Sequence, residues 1–174
     1  AKLAIQLGDN GSIGLLDKYV KLFPNNPNAK EATKLKARLL INTDSYREAV
    51  SLLDGLGELD AQTEEVYQKV TLARGMELYK ARNLKGAIEL FDKCASKRSN
   101  MDLNAQARFW KAETLMLMGD EAAATKGYQD FLDQPSATST EMYPYAYYGL
   151  GYMKFQQKKY DEAASNFSRF TTQA

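Results

Sequence analysis

The 174-residue sequence has no histidine. That removes the side chain that most often serves as general base or metal ligand near neutral pH. It has one cysteine, Cys94. An intrachain disulfide is therefore excluded, as is a zinc site built from several cysteines or from cysteine and histidine. With 4 prolines and 11 glycines the chain is neither linker-like nor collagenous. Neither sign of charge dominates: 23 Lys and Arg face 22 Asp and Glu, a net charge of +1. Such a balance argues against nucleic acid or an anionic membrane as partner. No apolar run approaches the roughly 20 residues that a membrane-spanning helix needs. No stretch alternates polar and apolar residues with a period of two, so no sheet is expected. No signal peptide is visible, and a chain that opens on Ala1 and closes on Ala174 beside helical patterns reads as a fragment of a longer one.

Helical periodicity, by contrast, is abundant. In YYGLGYMKFQQKKYDEAASNFSRF, Tyr147, Leu150, Gly151 and Phe155 fall three or four residues apart. Tyr160, Ala163, Ala164, Phe167 and Phe170 do the same. Each set marks one face of a helix. The intervening Gln156-Gln157-Lys158-Lys159 has room only for an antiparallel turn. Gly151 and Ala163 are small enough for the two helices to approach closely.

The pair recurs along the chain. Aligned on one position of each second helix, Leu15, Ala49, Ala87, Ala124 and Ala163 are separated by 34, 38, 37 and 39 residues. Four positions later stand Tyr19, Leu53, Phe91, Tyr128 and Phe167; three further on stand Leu22, Leu56, Cys94, Phe131 and Phe170. Twelve positions before the aligned residue, the first helices carry Ala37, Gly75, Ala112 and Gly151. Several columns in phase at this period mark stacked units of a repeat. Cys94 falls in this helical pattern and reads as a small buried apolar residue rather than a reactive thiol.

The expected helices run from Gly11 to Phe23, Asn28 to about Asn42, Ser45 to Leu56, Ala61 to about Arg82, Leu84 to Ala95, Asp102 to Met118 and Glu121 to Leu132, followed by the closing pair. Ala1 to Leu7 is the expected remnant of a preceding first helix. Asn28 and Glu31 have capping-box spacing. Asp60 is a candidate cap, and Gly55 and Gly57 end a helix. DQPSATST, residues 133–140, is the most loop-like segment. Pro144 stands where the first turn of a helix accepts proline.

These residues resemble the tetratricopeptide repeat, a helix-turn-helix unit of 34 residues. Tyr147, Leu150, Gly151, Tyr160, Ala163 and Phe167 fall at the family's spacing. Ala112, Leu115, Gly119, Ala124 and Tyr128 do so in the preceding unit, Gly75, Leu78, Ala87 and Phe91 in the one before, and Ala37, Leu40, Tyr46, Ala49 and Leu53 before that. The resemblance implies an all-α fold: a right-handed superhelical solenoid of antiparallel helix pairs, with about four full repeats and a degenerate N-terminal one. It forms one domain over residues 1–174, with units at about 1–27, 28–58, 60–98, 101–134 and 141–174. The periods above 34 are a departure and imply extended linkers or helices. Phe131 and Phe170, with the linker FPNNPNA, resemble tetratricopeptide proteins of the Gram-negative cell envelope, including outer-membrane assembly lipoproteins and the Tol-Pal coordinator family. That finer likeness implies a periplasmic or envelope-associated setting, with the cytoplasm as the alternative.

In this family the groove is lined by first-helix residues that face away from the second helix. On this chain these are Lys34, Arg38 and Ile41; Lys69, Leu72, Met76 and Tyr79; Phe109, Glu113 and Met116; and Tyr145, Tyr148, Tyr152 and Phe155. One end is basic and the other aromatic, which suits a peptide or helix of mixed acidic and apolar character. The competing reading for Tyr148, Tyr152, Phe155, Met76 and Met116 is packing between repeats. Lys30, Lys34 and Arg38 form a basic stripe that either receives a carboxylate or is a solvated face. Family members that clamp a chaperone's C-terminal carboxylate need Asn, Asn and a basic residue where Arg38, Ala73 and Trp110 stand, so that role is rejected although Lys34 and Lys69 fit.

Catalysis has little support. Glu64 and Glu65 project about 100° apart on a helix. Asp54, Glu58 and Asp60 lack the spacing of a calcium loop. Gly149 and Gly151 lie inside a helix and make no phosphate loop. A lysine mechanism singles out no lysine. The expectation is a non-enzymatic scaffold, without cofactor or metal, that binds a peptide or helical segment of a partner protein. The alternative is self-association or docking through Phe167 and Phe170 of the last helix, which have no successor to cover them, or through the first-helix remnant.

Overall fold

The computed structural model describes residues 11–173. The expected remnant Ala1 to Leu7 lies outside the described residues. Among those described, the chain forms nine α-helices, one 3-10 turn and no strand. The helices are α1 (Gly11–Leu22), α2 (Ala29–Ile41), α3 (Tyr46–Asp54), α4 (Ala61–Lys80), α5 (Leu84–Ala95), α6 (Met101–Leu117), α7 (Glu121–Leu132), α8 (Tyr143–Gln156) and α9 (Tyr160–Gln173). Each packs on the next, and the first helices also meet one another, α2 on α4 and α4 on α6. The result is a stack of pairs: α2/α3, α4/α5, α6/α7 and α8/α9, with α1 packed on α2 ahead of them.

There is no single core. One buried cluster joins Ala37, Leu40, Ala49 and Leu53 to Tyr67 and Val70 of the next pair. A second joins Leu72, Ala87, Phe91 and Cys94 to Ala107. The third joins Phe109, Ala112, Ala124, Tyr128 and Phe131 to Leu150 and Met153. Each spans two units, because a single helix pair cannot bury its own apolar face. Burial pushes the Cys94 thiol up to about 12, in keeping with an inert packing residue.

The small columns seat aromatic rings. A Cβ built on Gly75 would lie 2.6 Å from the ring of Phe91, and one on Gly151 would lie 2.7 Å from Phe167. A Cβ on Gly149 would lie 2.5 Å from the ring of Tyr128, which reaches across to the following unit.

Buried polar side chains tie the turn between α5 and α6. Gln68 is fully buried; its Nε2 donates to the carbonyls of Lys97 (3.2 Å) and Asn100 (2.9 Å), and its Oε1 accepts from the Asn100 N–H (2.8 Å). Asn104 Nδ2 donates to the carbonyls of Ala95 (2.6 Å) and Lys97 (2.8 Å). These bonds satisfy carbonyls that the end of α5 would leave unpaired. At the other end, buried Lys36 of α2 pairs with Asp17 of α1 (2.8 Å) and Glu48 of α3 (2.7 Å). Bonds from Lys21 and Lys36 hold the Asp17 carboxyl down at about 2.

Helix boundaries fall within two residues of the sequence pattern, and Leu84–Ala95 and Glu121–Leu132 coincide with it. Three expectations need correction. Asn28 does not cap α2: its side chain makes no cap bond, and Asn26 instead accepts from the N–H groups of Asn28 and Ala29. Asp60, by contrast, caps α4 by accepting from the Thr63 N–H. Residues 133–140 are not a plain loop, because Pro135–Ser139 form a 3-10 turn that buries Ala137 completely. Finally, Leu15 does not belong in the small column. It is 55% exposed, whereas Ser12 (1%) and Leu16 (4%) are buried. Adjacent leucines project about 100° apart, so either phase fits the pattern and only burial chooses. With Ser12 in the column, the steps become 37, 38, 37 and 39 residues.

Ala has the higher helix propensity by about 1 kcal/mol, but a methyl on Gly75 collides with a ring that has nowhere to go. Gly75→Ala is therefore expected to cost about 1–2 kcal/mol net in urea denaturation. In a Phe91→Leu background the same substitution is expected to become near neutral or stabilising. An equal cost in both backgrounds would mean that Phe91 is not what requires the glycine.

Candidate functional site

The first helices α6 and α8 do not pack on one another as α2 does on α4; the 3-10 turn lies against both. Its Ser139 hydroxyl donates to Asp102 near the start of α6 (3.0 Å), and its Ala137 joins the C-terminal core cluster. A cleft of about 380 Å³ lies between the two helices. Phe109, Trp110 and Glu113 of α6 line one side, and Glu141, Met142, Tyr145 and Tyr148 line the other.

The aromatic wall is continuous. Trp110 packs edge-on against Tyr79 of α4 and against Phe109, both with ring centroids 5.5 Å apart. Phe109 lies at the back of the cleft, only 5% exposed, and packs on Tyr128 and Phe131. Along α8, Tyr145, Tyr148, Tyr152 and Phe155 are each between 41% and 54% exposed. Their spacing of three or four residues sets them on one helical face. These four are among the large apolar side chains that the fold leaves exposed.

Glu113 is the charge within this wall. Its Oε1 accepts from the Tyr128 hydroxyl (2.6 Å), and the Met116 Sδ lies 3.6 Å from the same hydroxyl. Burial pushes the Glu113 carboxyl above its usual range, against the opposing pull of the Tyr128 bond. Burial and the Glu113 charge both raise the Tyr79 phenol, and nearby Arg82 works the other way. The Tyr128 phenol is raised by its own burial first and by Glu113 second.

The expected groove residues divide into two groups. Tyr79, Phe109, Glu113, Met116, Tyr145 and Tyr148 come together at the cleft or directly behind it, and Tyr152 and Phe155 extend its α8 wall. Met76 is half-buried and packs in the middle cluster beside Tyr79 and Trp110. Lys34 and Arg38 stand apart on α2, which packs on α1, α3 and α4. Lys34 is ion-paired with Asp60, so one cation of the basic stripe is already neutralised, and Lys69 of α4 is paired with Glu65 (2.8 Å). Phe167 and Phe170 are not bare as expected. Both are half-buried, Phe167 against Tyr148 and Phe170 against Tyr145 and Tyr148. The sequence pattern assigned no groove role to Trp110, Glu141 or Met142. Trp110 was legible as an aromatic neighbour of Phe109; Glu141 and Met142 lie in a linker where periodicity gives no direction.

Larger clefts lie elsewhere: besides one of about 470 Å³ at α1 and α2 and one of about 390 Å³ at residues 158–162, two span three helices each. One of about 520 Å³ runs over α5, α6 and α7, where Lys111 pairs with Asp92 and Lys126 with Asp130. One of about 690 Å³ lies over α7, α8 and α9 and is mostly polar, with Lys154 paired to Glu162. Their charges are largely internally matched, unlike those of the aromatic cleft. Among the described residues no group of acidic or sulfur side chains could hold a metal ion, and no helix is long and apolar enough to cross a membrane.

A stack of helix pairs with an aromatic inner wall defines an α-solenoid of the kind that presents an extended binding surface. Tetratricopeptide-repeat patterns match residues 72–136 and again residues 145–174, together more than half of the chain. The chain thus belongs to the tetratricopeptide-repeat family. Solved structures similar to it include MamA, at 18% identity with 99% of this chain and 90% of that chain covered and a TM-score of 0.59. MamA of Desulfovibrio magneticus RS-1 is similar at 15% identity, with 97% and 94% covered and a TM-score of 0.55. BtubC of P. vanneervenii is similar at 14% identity, with 96% and 72% covered and a TM-score of 0.58. At these identities the likeness establishes the fold alone. No curated protein matches the sequence.

A carboxyl whose folded pKa lies above its unfolded value stabilises the fold at pH below the unfolded value, and that contribution is lost as pH rises through the folded value. Glu113→Gln keeps an acceptor for Tyr128 and removes the charge. It is expected to melt no lower than the parent at pH 7 and to lose less stability between about pH 4 and pH 7, as read from thermal melts at both. A clearly lower melting temperature at pH 7 would mean that the Glu113 charge supports the fold.

Proposed function

We propose that the protein is a non-enzymatic scaffold whose concave face binds a peptide or helical segment of a partner protein. The units at about 28–58, 60–98, 101–134 and 141–174 act as one binding surface. The observation that carries this reading is the exposed row Tyr145, Tyr148, Tyr152 and Phe155, continuous with the cleft at Phe109, Trp110 and Glu113. Such rings give large contact area at low cost in side-chain entropy and dominate binding where they are central. Lys34 and Arg38 would contact only a partner long enough to reach α2. An envelope-associated setting rests on the FPNNPNA linker and the Phe131 and Phe170 pattern.

The test places a photo-crosslinking residue at position 152 and recovers a polypeptide whose binding is then measured with purified proteins. Tyr148→Ala combined with Phe155→Ala is expected to weaken that binding at least ~30-fold, the loss of about 2 kcal/mol typical of one central aromatic. Unchanged affinity in a folded double variant sinks the groove reading. Self-association through the terminal helices is the competing assignment. Sedimentation at several concentrations separates the two, since a monomer throughout removes it.

A further inference from the structure

We infer that the cleft between α6 and α8 is a subsite for one basic side chain, lysine or arginine, of the partner segment that lies along the α8 aromatic row. The inference rests on the groove reading and adds the charge of what the groove accepts.

Three observations carry it. First, the lining is acidic and aromatic. Glu113 and Glu141 are its charged residues, no Lys or Arg lines it, and Trp110, Tyr145 and Tyr148 supply ring faces and edges. Second, Glu113 is uncompensated. It accepts a hydrogen bond from Tyr128, and among the described residues it has no cationic partner. The contrast with Lys34–Asp60, Lys69–Glu65 and Lys154–Glu162 is direct, because those carboxylates are already neutralised within the chain. Third, the shape suits a stem with a charged end. About 380 Å³ holds one long side chain, whose methylenes lie on the rings while its cation meets the carboxylate.

Other occupants fit less well. An acidic side chain would face two carboxylates of its own sign. An apolar one would strip water from Glu113 without replacing its hydrogen bonds. The mixed acidic and apolar ligand expected from the basic α2 residues therefore does not suit this end of the groove.

Trp110 is the sole tryptophan of the chain and lines the cleft, so its fluorescence reports occupancy directly. The probes are three short capped peptides with two phenylalanines flanking a central lysine, norleucine or glutamate. The lysine peptide is expected to bind at least ~10-fold more tightly than the norleucine peptide at low salt, with the glutamate peptide weakest. Glu113→Gln, shown to be folded by circular dichroism, is expected to bring lysine and norleucine to equal affinity, and Tyr148→Ala to weaken both. Equal binding of lysine and norleucine by the parent, with both weakened by Tyr148→Ala, overturns the basic subsite and leaves the groove reading standing. A lysine preference that survives in Glu113→Gln overturns it as well. So does a Trp110 signal that no peptide changes; the crosslinking result then decides the groove reading alone.

Discussion

The stack depends on rings that lie against backbone with no side chain in between. Phe91 on Gly75 and Phe167 on Gly151 hold the two helices of a pair together, and Tyr128 on Gly149 holds one pair to the next. A methyl at any of these glycines would occupy space that the ring already fills. Each glycine weakens its helix by about 1 kcal/mol relative to alanine. The contact has to exceed that cost, which close packing of a large aromatic side chain readily does. Because Tyr128 also donates to Glu113, the same ring that joins two repeats also orients a carboxylate of the cleft.

Much of the architecture was legible in the sequence, since it rests on columns of residue size. Ala37, Gly75, Ala112 and Gly151 recur in phase with Leu53, Phe91, Tyr128 and Phe167, and the physical content of both columns is the ring contact just described. The phase of α1 was not legible. Leu15 and Leu16 both satisfy an apolar pattern, and the polar Ser12 that occupies the buried column gives no signal of burial. Buried polar ties escaped for the same reason. Gln68, Asn104 and Lys36 look like surface residues until their partners, tens of residues away for Gln68, come into place.

The candidate site was legible in part. The aromatic row on α8 follows from spacing along one helix, and the structure places those residues on one exposed face. The cleft does not follow from spacing, because it depends on how far α8 stands from α6. The segment between them includes Pro135–Ser139, whose residue types give no helical pattern, and its 3-10 turn lies against both helices. The ion pairs of the groove candidates were not legible either. Lys30, Lys34 and Arg38 form a basic stripe in the sequence, and in the folded chain Asp60 meets Lys34. Among the described residues Glu113 has no cationic partner, and the charged residues of the cleft are both acidic.

The 3-10 turn belongs to a connection between repeats, yet it lies against three helices, α6, α7 and α8. In a solenoid each unit meets only its neighbours, so a linker packed in this way is part of the stack and not a tether outside it. A change in its length would therefore be felt in the packing of the units it joins, with every residue of the aromatic row left as it was.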